Sequence, residues 1–381
     1  MKKSLIALAV LGASAAAMAQ SSVTLFGIVD AGVARTSATG AGHRTGLISG
    51  GAGTSRLGFR GVEDLGGGLR AGFWIEGQLN NDVGGGATQT TGFDFMRRST
   101  ISLSGRFGEV RIGRDFTPTY LNMIGFEPWG GRGIASIGTL GQSTGGVNSY
   151  ARNSNSVTYF LPAGLGGVYG AIQYMFGEQA SNRAAIADAA GISTSAANAT
   201  TSKTGNYLGG RIGYATGPFN VAGGYAQYSD AVRTTGIAAA PFYAANYKIA
   251  NIGASWDFGF IKPMIFVGSD KIDGRAAAPN YKFNTYAISA TAPVGTGLVK
   301  AQFVRYDNKT QGASANDASQ FGIGYVYTLS KRTSIYADAA RMSNKGNAVY
   351  TLSNNSSSLV SPVPTAGGNA TGFAVGIKHA F

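Results

Sequence analysis

The 381-residue chain sets 31 Lys and Arg against 18 Asp and Glu, a net charge of +13, yet only 13% of its residues are charged and none is Cys. Charge this sparse, against about 25% in ordinary soluble domains, argues against a surface wholly in water. The missing thiols exclude disulfide scaffolds and Cys-ligated zinc, and basic residues scattered without a basic helix or run argue against a nucleic-acid partner.

The first element is a leader. Met1-Lys2-Lys3 is a basic n-region, Leu5 to Ala17 an apolar run, and Ala17-Met18-Ala19 an A-x-A cleavage site, so residues 1–19 read as a secretory signal peptide. The run is too short for a spanning helix, and no stretch of about 20 apolar residues follows it. Residues 20–381 then form one mature domain. Abundant Gly (59) and scarce Pro (10) suit tight turns and crowded strands.

Period-two segments bounded by Gly, Asn, Asp, Ser or Pro predict sixteen strands. They cover 23–34, 54–61, 69–80, 96–104, 108–114, 155–162, 167–176 and 205–215. The second half continues with 219–229, 246–257, 260–270, 282–292, 297–307, 318–329, 332–342 and 370–381. Even-numbered strands lead into short turns, at 63–68, 105–107, 162–166, 216–218, 258–259, 293–296 and 330–331. Odd-numbered strands lead into longer loops, at 35–53, 81–95, 115–154, 177–204, 230–245, 271–281, 308–317 and 343–369. An even strand number with short turns at one rim and long loops at the other predicts an all-β, 16-stranded antiparallel transmembrane barrel of the bacterial outer membrane. Both termini fall at the periplasmic, short-turn rim.

Parity assigns the faces. Leu57 and Phe59 oppose Arg56, Gly58 and Arg60; Val110 and Ile112 oppose Glu109, Arg111 and Gly113; Ile101 and Leu103 oppose Thr100, Ser102 and Arg98. Arg or Lys at mid-lipid depth costs about 2–4 kcal/mol, so these arginines should point inward. Asp30 shares a face with Ile28 and is expected in the lumen, paired with an arginine. Trp74, Trp256, Tyr159, Tyr325 and Tyr327 are candidates for interfacial girdles. The last strand alternates Phe373, Val375, Ile377, His379 and Phe381 with Ala374, Gly376, Lys378 and Ala380, and ends on the aromatic.

Sixteen strands enclose a lumen too wide for side chains to fill. The loop 115–154, with two clusters of Trp, Phe and Gly, is the expected inward-folded third loop, since structureless loops of that length are seldom without function.

These segments resemble the general diffusion porins of Gram-negative outer membranes, most closely the beta-proteobacterial branch. The residues that carry the resemblance are Val23 to Asp30 (VTLFGIVD), Ser55 to Gly61 (SRLGFRG) with Glu63 to Gly66, Arg97 to Thr100, Gly108 to Asp115 (GEVRIGRD), Tyr150 to Val157 and Gly376 to Phe381. The resemblance implies a homotrimer, a third loop narrowing the lumen, and an arginine cluster on the wall facing acidic residues of that loop. Arg56 and Arg152 match cluster positions, and the Arg97-Arg98 pair supplies a third, with parity favouring Arg98 and a bulge selecting Arg97. Phe126 to Gly131 looks like the family's loop tip with its order altered. The resemblance also implies that the outer-membrane assembly machinery reads the terminal strand through Phe381.

At such a neck, fixed guanidinium groups ease anions in and hold cations back, and arginine stays charged at any physiological pH. The wall offers Arg56, Arg60, Arg97 or Arg98, Arg111 and Arg152; the loop opposes them with Asp115 and Glu127 and adds Arg132. The expected function is passive diffusion of small hydrophilic solutes with anion preference, in contact with outer-membrane lipid and lipopolysaccharide. No cofactor or metal is implied. Two alternatives stand beside it: a substrate-specific channel for an anionic solute, and a plugged barrel acting as an adhesin or structural protein. With two histidines, His43 and His379, far apart in the chain, an enzymatic constellation is not supported.

Overall fold

Seventeen strand segments form one antiparallel sheet that closes on itself in the computed structural model, which describes residues 22–86, 92–137, 151–178, 203, 205–232, 244–274, 280–313, 315–352 and 361–381. The predicted leader, 1–19, lies outside the described residues, as does most of the loop 177–204. The segments are β1 (Ser22–Ala38), β2 (Gly42–Ser49), β3 (Arg56–Gly66), β4 (Leu69–Gln78), β5 (Arg98–Gly105), β6 (Gly108–Phe116), β7 (Arg152–Phe160), β8 (Val168–Met175) and β9 (Tyr207–Thr216). They continue as β10 (Phe219–Val232), β11 (Ala244–Trp256), β12 (Lys262–Gly274), β13 (Tyr281–Val294), β14 (Gly297–Asn308), β15 (Ala318–Thr328), β16 (Thr333–Asn344) and β17 (Asn369–Ala380). A short helix, α1 (Pro118–Gly125), follows β6.

From β3 onward each strand pairs with the next, and β17 returns to β1 over Ile28↔Ala380 to Ala38↔Ala370. Closure leaves no strand edge, so the backbone groups of every stave are satisfied within the sheet, as a lipid environment demands. The barrel has sixteen staves, as the alternation predicts; the seventeenth segment arises because the second stave is in two pieces. β2 pairs with the upper half of β1 and β3 with its lower half, and Gly50 to Ser55 interrupt them. The expected loop 35–53 is therefore mostly a hairpin that lengthens β1.

The interruption has a clear chemical cause. Asp30, fully buried, accepts hydrogen bonds from the backbone N–H groups of Gly51 (3.2 Å), Ala52 (2.9 Å) and Gly53 (2.7 Å), and from the Tyr336 hydroxyl (2.7 Å). A carboxylate thus replaces the ladder partners these amides lose at the break. Its partners are amides and a tyrosine, not the arginine expected.

Faces follow parity. Ile101, Ile112, Ile212, Ile288 and Ile323 are exposed on the outer surface, while Thr100, Gln173, Gln302, Gln320 and Asp338 are buried inside. Trp74 departs from its girdle assignment. It lies on the inner face of β4, next to Arg60 and Arg98, while Phe73 and Phe59 take the outer side. Several strands also run beyond the predicted limits, so Asp273, within the predicted loop 271–281, lies on β12.

Candidate constriction site

The loop that follows β6 turns into the lumen. Thr117 caps α1, its hydroxyl accepting from the Tyr120 N–H (3.3 Å), and Pro118 begins the helix where no backbone donor is needed. The segment then crosses to the far wall and is pinned there by apolar packing and polar ties. Tyr120, Met123, Phe126, Trp129, Ile134, Ala135 and Ile137 are buried in one cluster with wall residues such as Ala222, Phe266, Val304 and Met342. Asn122 donates to the Ala222 carbonyl (3.1 Å) and to Asn251 Oδ1 (2.9 Å), and Asn251 donates to the Thr119 carbonyl (3.0 Å). Gln302 and Gln320 donate to the carbonyls of Ala135 (3.3 Å) and Ile134 (3.2 Å), and Trp129 Nε1 donates to Asp338 Oδ1 (2.8 Å). Two wall glycines permit this approach: a Cβ on Gly253 would enter the Phe126 ring, and one on Gly322 would meet Ala135.

The loop packs against wall residues of β10 to β16, and the arginines of the sequence reading lie on β3 to β7 and in the turn before β5. Arg97 is buried, its Nε 2.6 Å from Glu76 Oε1. Arg56 Nε lies 3.9 Å from the other oxygen of Glu76, too far for a hydrogen bond. Arg152 donates from Nε to the Arg97 carbonyl (2.8 Å) and lies on the Phe116 ring, 3.9 Å from its centroid. Arg132, from the loop, is within electrostatic reach of Arg97 and Arg152. Glu76 is the carboxylate paired with this group among the described residues. Buried Nε of Arg56 and Nη2 of Arg152 have no hydrogen-bond partner there.

A second set lies beside the first. Arg98 Nε is 3.6 Å from Asp115 Oδ2 with its guanidinium on the Trp74 ring (4.5 Å). Arg111 joins Asp115 (2.6 Å) and Glu109 (2.9 Å) and lies on the Phe160 ring (4.3 Å). Arg60 sits between the rings of Trp74 (5.0 Å) and Phe26 (5.3 Å), with no carboxylate partner among the described residues.

Both members of the Arg97-Arg98 pair therefore face inward: β5 begins at Arg98, and Arg97 lies in the turn before it, where strand parity does not apply. Asp115 and Arg152 belong to the wall strands β6 and β7, not to the loop. Glu127 is placed apart from the arginines. Its carboxylate closes the loop's own turn, accepting from the N–H groups of Trp129 (2.9 Å) and Gly131 and from the Ser136 hydroxyl (2.7 Å). Burial pushes its carboxyl up from the ordinary value, while the bonds from Ser136, Trp129 and Gly131 pull it down. Sequence reasoning missed Glu76, although its parity with Trp74 and Gln78 against Phe73 and Ile75 marks the inner face. It also missed Asp338 and Lys300, which meet Trp129 across the lumen. Phe381 completes closure, exchanging backbone hydrogen bonds of 3.1 Å with Gly27.

The chain's likenesses agree with this architecture. The family model described as Gram-negative porin matches residues 5–347. Outer membrane porin protein 32 of Delftia acidovorans is 41% identical over 386 residues, covering 100% of both chains. An outer membrane porin protein of Bordetella pertussis is 32% identical over 378 residues, covering 88% of this chain and 93% of its own. Among solved structures, the anion-selective porin from Comamonas acidovorans aligns with a TM-score of 0.78 at 37% identity, over 95% of this chain and 100% of that one. A closed sixteen-stave barrel with an inward third loop and this full-length similarity lead to one conclusion: the chain belongs to the Gram-negative porin family, forming channels in the bacterial outer membrane.

Proposed function

We propose that this porin is a homotrimer, exported with a cleaved leader at 1–19, that passes small hydrophilic solutes passively and prefers anions. The observation that supports the preference is a local excess of positive charge, Arg56, Arg97, Arg132 and Arg152 near one paired carboxylate, Glu76, and this cluster is taken as the neck. Two unit charges 4 Å apart interact by about 1 kcal/mol even in bulk water, and by more beside a low-dielectric wall. Each uncompensated guanidinium therefore changes the relative cost of anion and cation entry severalfold. The similarity to an anion-selective porin supports the same reading. Assembly through the C-terminal strand ending at Phe381, and contact with lipopolysaccharide, belong to this proposal. No cofactor or energy source enters it.

The test is the zero-current potential of the purified protein in a planar bilayer under a tenfold KCl gradient. The expected sign is that for chloride preference, weakening as both salt concentrations rise, because the Debye length falls from about 10 Å at 0.1 M to about 3 Å at 1 M. A potential of the opposite sign would overturn the assignment. A second reading, a channel with a defined site for one anionic solute, is favoured by the unpartnered donors on Arg56 and Arg152. Saturable block of chloride current by a single organic acid or phosphate would distinguish it.

A further inference from the structure

Toward the short-turn rim, the inner wall seats one arginine on aromatic rings instead of carboxylates. Arg60 lies on β3 beyond Arg56, roughly 13 Å further at about 3.3 Å per residue, and its register partner on β4 is Trp74. Its Cζ stands 5.0 Å from the centre of the Trp74 ring and 5.3 Å from that of Phe26 on β1. The two rings meet edge to face at 4.9 Å. Gly58, the register partner of Phe26, makes room for this arrangement, since a Cβ there would enter the Phe26 ring. The run Arg56-Leu57-Gly58-Phe59-Arg60 thus places an aromatic ring at the level between two inward arginines.

Other guanidinium groups of this wall are compensated. Arg97 has Glu76 (2.6 Å), Arg111 has Asp115 (2.6 Å) and Glu109 (2.9 Å), and Arg98 lies 3.6 Å from Asp115. Arg60 is exposed and has no carboxylate partner among the described residues. Asp64, further along the inner face of β3, is turned away, its Oδ1 accepting from the Gly66 N–H (2.9 Å). A ring face steadies a guanidinium without neutralising it, so Arg60 keeps its charge and its N–H edge for a solute. The wall beside it is flat. Gly72, the next inward position on β4 after Trp74, pairs with Val62 and Ser102. A Cβ on Gly72 would meet Ser102 Oγ at 3.1 Å, the Gly61 carbonyl oxygen at 3.5 Å and Val62 Cγ2 at 4.0 Å, and no ring atom comes as close. A shallow recess without a side chain of its own therefore adjoins the Arg60–Trp74 pair.

We propose that Arg60, Trp74 and Gly72 form a subsite for aromatic carboxylates on the periplasmic side of the arginine cluster, so that the channel sorts anions of equal charge by planarity. This inference rests on the anion-preferring porin reading and names a solute class for it. The solute carboxylate takes the N–H edge of Arg60 as a two-bond pair, while its ring lies over Gly72 against the indole of Trp74. A flat ring suits a floor with no Cβ. A puckered aliphatic ring of similar size is thicker and offers no π face to the indole or to the guanidinium. Charge alone, the property invoked at Arg56 and Arg152, treats the two acids alike.

The test compares benzoate with cyclohexanecarboxylate, equal in charge and similar in size, as blockers of chloride current through the purified channel in planar bilayers. At about 0.1 M KCl, where the Debye length is about 10 Å, benzoate should half-block at a concentration roughly tenfold lower. Arg60→Lys keeps the positive charge but loses the planar fork, and should bring the two acids within about twofold of each other. Gly72→Val, which fills the recess, should do the same while Arg60 and Trp74 stay in place. Equal block of wild type by the two acids would overturn the inference, as would a benzoate preference that survives both substitutions. Should either variant fail to fold, the other decides alone. The zero-current potential, taken on the same membranes, separates the two levels of argument. Chloride preference with equal block sinks the subsite only, whereas cation preference sinks the anion-selective reading on which it rests.

Discussion

The hydroxyl of Tyr336 and the carboxylate of Asp30, 306 positions apart in the chain, meet at 2.7 Å inside the barrel. The contact joins β16 to β1 at the level where the second stave is interrupted, and the same carboxylate holds the amides of Gly51, Ala52 and Gly53. One acidic side chain therefore secures both the closure seam and the gap in its neighbour.

Replacement of Asp30 by Ala should strand three backbone donors and the tyrosine hydroxyl. An unmatched buried donor costs about 1–3 kcal/mol, so the temperature at which the folded band is lost on a gel should fall markedly. Tyr336→Phe, which leaves the three amides paired, should lower it by much less. Equal effects of the two changes would contradict the bridging role assigned to the carboxylate.

Arg56→Ala combined with Arg152→Ala should lower the anion-to-cation permeability ratio by roughly fivefold or more for each charge removed, since the Coulomb estimate of about 1 kcal/mol acts with opposite sign on the two ions. Glu76 remains neutralised by Arg97 at 2.6 Å in this variant, so folding should persist. Reversal potentials, with heat resistance as the control, decide it. An unchanged ratio would place the neck elsewhere.

Glu76→Gln should act in the opposite direction. Removing the carboxylate leaves Arg97 buried without its counter-ion, raises the positive potential of the neck, and strengthens anion preference by a similar factor. It should also lower heat resistance, because breaking a buried pair from one side leaves a charge uncompensated. A weaker preference in this variant would mean that Glu76 does not face the permeation path.

Trp129→Phe tests how the third loop is held. The indole N–H to Asp338 is lost, a bond to a charged acceptor worth about 1.5–3 kcal/mol, while most ring packing stays. Single-channel records should show more frequent transitions between conductance levels. Gly253→Val forces the issue sterically, because a side chain there occupies the place of the Phe126 ring. Its mean conductance should shift with the barrel intact.

The barrel is legible in the chain because lipid and water impose opposite demands on alternate residues. Leu57 and Phe59 against Arg56 and Arg60, or Val110 and Ile112 against Arg111, declare their faces without any tertiary information. The loops are less legible. Beyond the bilayer no lipid enforces alternation, so the hairpin of β1 and β2 and the extra length of β12 read as loop. Trp74 illustrates a different failure: aromatic character alone suggests an interface, yet a lumen lined with guanidinium groups gives an indole equally good company. Glu127 shows the limit of charge counting. Nothing in a linear reading reveals that its oxygens close a turn formed by Trp129, Gly131 and Ser136.

That turn bears on how such a filter can change. Because Glu127 is taken up inside the loop, the proposed filter largely divides its two settings between separate stretches of chain: residues 117–137 set aperture and add only Arg132 to the charge, while the wall from β3 to β7 supplies the rest of the polarity. Grafting another loop of similar anchoring that keeps an arginine at position 132 should then alter the size limit while leaving the preferred ion sign alone, and changing the charges of the wall should do the reverse.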